Sequence, residues 1–177
     1  MGAKEFDYYI FIDYSENYLG YLIIENKKIR EFLPKISKFA HYKELKYKLA
    51  YAHSIRKIIE KNKVVSYLLK SKIKNVKDTP EIYSDILEFL KHHDNCIIFI
   101  SVDDKQFSNF ERLVKVIDGT NIKVVRESKL KKDTFEYRIS LVLDTLLNLE
   151  RFYYLEFLCQ HSSNQLILLE IRISSVE

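Results

Sequence analysis

One apolar run near the middle of the chain limits the possible folds more than any other feature. Residues 96–102 read CIIFISV and are followed at once by Asp103 and Asp104. A strand with one face in water alternates apolar and polar residues, whereas a near-continuous apolar run is typical of a strand buried on both faces. Since helices must then cover both faces of the sheet, the run predicts an α/β domain with this strand inside the sheet.

The flanking segments predict the other strands. Tyr8–Ser15 and Tyr18–Glu25 are β-rich runs separated by two polar residues, which predicts a hairpin. Residues 29–33 are expected to complete a three-stranded antiparallel meander. After the buried strand, residues 107–117 predict a helix and residues 122–125 a short strand. Because a crossover helix joins them, these last two strands should be parallel.

Helical periodicity appears in three further segments. From residue 41 to 61, apolar residues recur at three- and four-residue steps, which predicts an amphipathic helix with a basic outer face. A threonine–proline pair supplies the cap and first-turn proline of a helix over residues 79–91. A long helix is expected over residues 133–152. Residues 64–75 fit either an extension of the helix over residues 41–61 or a strand.

Positive charge is concentrated in one part of the chain. Residues 27–77 hold 16 Lys and Arg against three acids, a net charge of +13 in a chain whose total is +4. Clustered cations bind phosphate backbones by releasing counterions, so this segment predicts a basic face for nucleic acid. The tyrosine in the Lys-Tyr-Lys run at 46–48 could stack on bases there, although most tyrosines are expected to pack against the sheet. A solvated, lysine-rich surface is the alternative interpretation.

Composition excludes several classes of protein. The 177 residues, 47% of them hydrophobic, suffice for one core, and we expect a single domain over residues 1–177. The apolar runs are far shorter than the roughly 20 residues that span a bilayer, so we expect no membrane partner. Three scattered glycines form no phosphate-binding loop, which argues against P-loop and dinucleotide-binding proteins. No Gly-x-Ser-x-Gly turn is present, which argues against a hydrolase with a Ser/His/Asp site. Cys96 and Cys159 have no repeated spacing and follow no signal peptide, which favours a reducing cytoplasm over a disulfide framework.

Several acids occupy positions that a core would give to apolar residues. They are Asp13 in the first strand, Asp103 and Asp104 after the buried strand, and Asp144 in an apolar helix. A carboxylate in such a place is destabilising unless it is paired or binds a metal. If the first and the buried strand are neighbours, Asp13 and Asp103 project from adjacent strand ends, and a helix can bring Asp144 to the same point. Converging oxygens suit Mg²⁺ or Mn²⁺, and two such ions support phosphodiester cleavage.

Other interpretations of these residues are open. Asp13 can satisfy the hairpin turn, Asp104 can cap the next helix, and Asp144 can pair with a buried Lys or Arg. Zinc-type donors also occur in the sequence, although their spacing matches no known zinc pattern. These donors are His92, His93, Cys96, Cys159 and His161.

The order of elements resembles that of the ribonuclease H-like superfamily. Within it, residues 11–15 (FIDYS) are similar to the "FIDESG" opening of the uncharacterised DUF3800 type. Residues 127–129 (ESK) and 140–144 (SLVLD) are similar to the later "DSK … LQLAD" stretch of that type. The resemblance covers most of residues 8–150 and implies a ribonuclease H-like mixed sheet with flanking helices.

The resemblance also implies a metal site and a reaction. The ligands of Mg²⁺ or Mn²⁺ would be Asp13, Asp103 or Asp104, and Asp144, in a nuclease that hydrolyses nucleic-acid phosphodiesters. Tyr14 stands where the family has an acid, and Glu16 could substitute for it. The sequence departs from the family at two further positions. Asn17 stands where the family has a small turn residue, and the Gln that precedes the aspartate of the family's LQLAD stretch is absent before Asp144.

These departures keep a second hypothesis open, a catalytically inactive ribonuclease H-like module that binds nucleic acid or a protein partner. A PIN-like nuclease also gathers acids at parallel strand ends, but the opening antiparallel hairpin disfavours it. Residues 165–174 are either a last strand or a docking segment. As an edge strand, residues 166–173 could pair with a second subunit in a homodimer.

Overall fold

A five-stranded mixed sheet forms the centre of the computed structural model, which describes residues 5–117 and 121–161, with side chains as far as residue 154. The strands are β1 (Tyr8–Ser15), β2 (Tyr18–Glu25), β3 (Lys70–Asn75), β4 (Cys96–Ile100) and β5 (Lys123–Arg126). Their order across the sheet is β3-β2-β1-β4-β5. Antiparallel pairing joins β1 to β2 and β2 to β3, whereas β1, β4 and β5 are parallel. The expected fold class is therefore confirmed.

Five α-helices of the described residues cover the two faces of this sheet. They are α1 (Asn26–Phe32), α2 (Lys48–Lys61), α3 (Thr79–His92), α4 (Asp104–Val116) and α5 (Phe135–His161). One apolar cluster joins α1, α2 and α5 to one face of the sheet, and a second joins α3 and α4 to the other. Successive residues of β4 contribute to opposite clusters, Ile97 to the first and Ile98 to the second. This division explains why the strand is apolar throughout.

The third antiparallel strand lies elsewhere than the sequence pattern predicted. Residues 29–33 do not form a strand, because Ile29 and Phe32 are both buried on one side of α1, at helical spacing. The strand beside β2 is β3, which lies in residues 64–75, the segment that fitted either a helix extension or a strand. Its sequence KSKIKN is polar because β3 is an edge strand, with Lys70 and Ser71 exposed.

Several helix boundaries also differ from expectation. The helix expected from residue 41 begins at Lys48, and residues 42–44 form a separate 3₁₀ turn. No helix within residues 5–117 or 121–161 combines the length and the apolar character that a bilayer crossing requires. Residues 165–174 and the side chains of Cys159 and His161 lie outside the described part of the chain.

Candidate functional site

A cleft of about 560 Å³ opens where the three parallel strands end. Asp13 reaches it from the last part of β1, Ser101 directly follows β4, and Glu127 directly follows β5. Asp144 and Asn148 line the same cleft from α5, which packs across this face of the sheet. In open α/β sheets, ligands bind outside the carboxyl ends of the strands, so the cleft lies where this architecture places a site.

Asp13 is the most unusual carboxylate of the cleft. Only 9% of the residue is exposed, and burial raises its pKa to about 7, with further contributions from the negative charges of Glu127 and Asp144. The backbone N–H of Tyr14 donates to Oδ1 at 2.8 Å, and the Ser101 hydroxyl also donates; both bonds act to lower the pKa. No ion pair compensates Asp13 among the described side chains. The surrounding protein therefore opposes a negative charge on Asp13.

Asp144 is held by neutral donors rather than by a buried Lys or Arg. The backbone N–H of Tyr42 donates to Oδ2 at 2.8 Å, and Asn148 Nδ2 donates to Oδ1 at 2.9 Å. His41 Nδ1 lies 3.6 Å from Oδ2. Asn148 also accepts from the Ser15 hydroxyl at 3.3 Å, which links this helix position to the end of β1. Asp144 is thus fixed in orientation while its charge still faces Asp13.

The fold that carries this cleft is found in a known enzyme. A crystal structure of ribonuclease H2 from Pyrococcus horikoshii OT3 superposes with a TM-score of 0.54, covering 88% of this chain and 77% of that chain at 16% identity. The chain has a ribonuclease H-like fold. No family model matches the sequence, and no curated protein matches it. The likeness to the DUF3800 type therefore remains a prediction from short motifs.

The ribonuclease H-like fold places the other predicted acids at different points. Asp103 caps α4, where its side chain accepts from the backbone N–H of Gln106 at 2.8 Å. Asp104 Oδ1 lies 2.8 Å from Arg126 Nη1 on the exposed surface. Neither aspartate lines the cleft. Glu16 does line it, from a left-handed turn with a φ of 52°, and forms an ion pair with Arg151.

Glu127 is a further carboxylate of the cleft, and the sequence patterns did not single it out as a site residue. It begins a short 3₁₀ turn at the end of β5 and is half-buried. Its effect on the pKa of Asp13 is larger than that of Asp144. Two signals in the sequence could have identified it. It directly follows a predicted parallel strand, and it opens the ESK segment on which the resemblance rests.

The carboxylates of the cleft suit a cation that is bound jointly by the protein and a substrate. They suit less well a cation whose ligands all come from the protein. No three His, Cys, Asp or Glu side chains of the described residues form a ready-made ligand set. Mg²⁺ commonly binds through one or two carboxylates and completes its shell with water and substrate phosphate. Asp13 suits this role, because a nearby dication would relieve the repulsion that it experiences from Glu127 and Asp144.

The zinc-type donors that the structure describes are engaged elsewhere. His92 Nε2 lies 3.2 Å from Glu88 Oε1, and the His93 ring stacks on Phe89. Cys96 is fully buried in the second apolar cluster. None of the three residues lines the cleft.

The predicted basic segment is divided by the fold. Lysines of β3 form ion pairs with acids of α3, of which the shortest joins Lys72 Nζ to Asp85 Oδ2 at 2.6 Å. Lys43 and Lys48 instead line the cleft, together with Lys132 from the segment before α5. Lys43 and Lys48 therefore place positive charge beside the acidic centre, whereas Lys132 is paired with Glu44 and the β3 lysines are neutralised by their own neighbours.

Proposed function

We propose that the protein is a divalent-metal-dependent nuclease that hydrolyses nucleic-acid phosphodiesters. The observation that supports this most strongly is the meeting of Asp13, Glu127 and Asp144 in one open cleft. Negative charges held near a buried carboxylate are destabilising on their own, and a cation is the ligand that removes this penalty. The ribonuclease H-like fold of the chain agrees with this proposal.

Asp13 and Asp144 are the residues that would hold Mg²⁺ or Mn²⁺, with Glu127 beside them. When bound, such ions activate an attacking water and stabilise the leaving oxygen of a phosphodiester. The chain supports this chemistry by orienting the carboxylates, Asp13 through the N–H of Tyr14 and Asp144 through Asn148 and the N–H of Tyr42.

The cations around the acids would bind the substrate backbone. Lys43, Lys48 and Lys132 line the cleft, and phosphate groups bridge readily between ammonium groups and a metal-binding centre. Their charge is spread over flexible side chains without the bidentate geometry of arginine. We therefore expect binding without strong preference for base sequence.

A second candidate is an inactive module with the same fold that binds nucleic acid without cleaving it. Two observations favour it: the described residues contain no ready-made set of three metal ligands, and both oxygens of Asp144 already accept hydrogen bonds. In this case the basic rim would bind the backbone and the acids would have no catalytic role.

A cleavage assay with matched variants distinguishes the two. Labelled single-stranded DNA, single-stranded RNA and an RNA–DNA hybrid are incubated with Mn²⁺, Mg²⁺ or EDTA. We expect metal-dependent cleavage by the wild type and by Asp104→Asn, whose acid lies outside the cleft, and none by Asp13→Asn or Glu127→Gln. Binding without cleavage, together with a melting temperature that Mn²⁺ leaves unchanged, would contradict the nuclease proposal and favour the inactive module.

A further inference from the structure

Tyr47 is an aromatic side chain that the fold leaves in solvent. It directly precedes α2, and 70% of the residue is exposed. The other strongly exposed tyrosine of the described residues, Tyr154, is 53% exposed. Tyr42, in the same short segment, is instead buried at 7% exposure. An aromatic ring in water contributes nothing to the core, and it offers a flat surface for another ring.

The charges beside Tyr47 favour a polyanion. Residues 43–48, called the rim segment below, contain three exposed lysines and a single acid. That acid, Glu44, is paired with Lys132 at 3.0 Å. Lys46 Nζ lies 5.4 Å from the centroid of the Tyr47 ring. The ammonium group lies over one face of the ring, so the segment presents an aromatic surface and a cation together, which match the base and the phosphate of one nucleotide.

The rim segment is joined to the acidic centre by a short, ordered connection. Tyr42 immediately precedes it, and its backbone N–H donates to Asp144 at 2.8 Å. Lys48 Nζ lies 5.4 Å from the centroid of the Tyr42 ring, and both Lys43 and Lys48 line the cleft. A strand whose phosphates lie in the cleft can thus continue directly over Tyr47.

We propose that Tyr47 stacks on an unpaired base, so that the cleft takes nucleic acid with a single-stranded part at the rim segment. This inference rests on the proposed function, because it identifies the substrate class of the same cleft. In a duplex both faces of each internal base are covered by neighbouring bases. Away from the ends of a duplex, only an unpaired base can lie on the tyrosine ring, whatever its sequence.

The test measures binding in EDTA, where cleavage does not contribute. A fluorescein-labelled, mixed-sequence DNA strand of about 15 nucleotides is titrated alone and annealed to its complement, with anisotropy as the readout. Tyr47→Ala should weaken single-strand binding by about 10-fold and change duplex binding by less than about twofold. Tyr47→Phe keeps the ring and should bind like the wild type. Leu49→Ala, a matched control that removes an exposed apolar side chain two residues away, in α2, should also bind normally.

A second measurement does not depend on loss of binding. The chain contains no tryptophan, so Tyr47→Trp introduces a unique fluorophore at the proposed contact. Stacking on a base should quench its emission as the unlabelled single strand is added. Unchanged emission, unchanged single-strand affinity in Tyr47→Ala, or equal losses for single strand and duplex would each overturn the inference. Absence of cleavage with normal Tyr47-dependent binding would instead contradict the nuclease proposal alone.

Discussion

Replacing Asp13 by Asn tests the electrostatic account of the cleft most directly. The pKa of Asp13 is raised from an ordinary 3.8 to about 7, first by burial and then by Glu127 and Asp144. Between about pH 4 and pH 7 the folded protein keeps this proton while the unfolded chain has lost it, so stability falls as pH rises through this window. A difference of about three pKa units corresponds to about 4 kcal/mol by the end of it.

Asp13→Asn removes the charge and keeps an oxygen that can accept from the Tyr14 N–H. We therefore expect the variant to unfold with about the same free energy as the wild type near pH 4, and to be more stable by up to about 4 kcal/mol near pH 8. Urea denaturation at the two pH values measures both differences. Because only the difference between two proteins is compared, the titration of groups distant from Asp13 cancels.

Two additions sharpen this experiment. Asp104→Asn is the matched control, since it removes an exposed aspartate that pairs with Arg126 on the surface and should change stability little at either pH. Millimolar Mn²⁺ should stabilise the wild type near pH 8 and have a smaller effect on Asp13→Asn. A wild type that is as stable as Asp13→Asn near pH 8 without metal would refute the reasoning, because the charge of Asp13 would then be compensated within the protein.

Further predictions concern the neighbours of Asp13 and the cationic rim. Glu127→Gln should lower the pKa of Asp13 and flatten the pH dependence of wild-type stability, as measured by the same denaturation series. Asp144→Asn should lower the free energy of unfolding by about 1 to 3 kcal/mol, because an amide nitrogen then meets the Asn148 donor; an unchanged unfolding midpoint would contradict this. If the three rim-segment lysines neutralise three phosphates of a single strand, oligonucleotide affinity should fall roughly 20-fold between about 50 mM and 200 mM salt. Neutralising the ion-paired β3 lysines should leave this salt dependence of the affinity unchanged. Titrations at several salt concentrations would check it.

Local patterns in the sequence were sufficient to predict most of the elements and, of the three acids Asp13, Glu127 and Asp144 that repel one another in the cleft, the first and the last. The apolar run at 96–102 predicted β4 inside the sheet, and the hairpin of β1 and β2 and the parallel pairing of β4 with β5 are confirmed. Asp13 and Asp144 were selected because each interrupts an apolar segment, a signal that needs only adjacent residues. Both line the cleft. Their roles as metal ligands remain predictions.

What the sequence by itself determined is most of the secondary-structure elements, because burial imposes a period of two or 3.6 residues on the adjacent chain. Only the tertiary structure decided which charges meet. Glu127 lies in the cleft because β5 ends beside β4, while Asp103 turns away to cap α4. In the same way, the β3 lysines are neutralised only because α3 packs beside that edge strand. Strand order and the direction of the chain after each strand set these contacts, and neither leaves a periodic signal in the sequence.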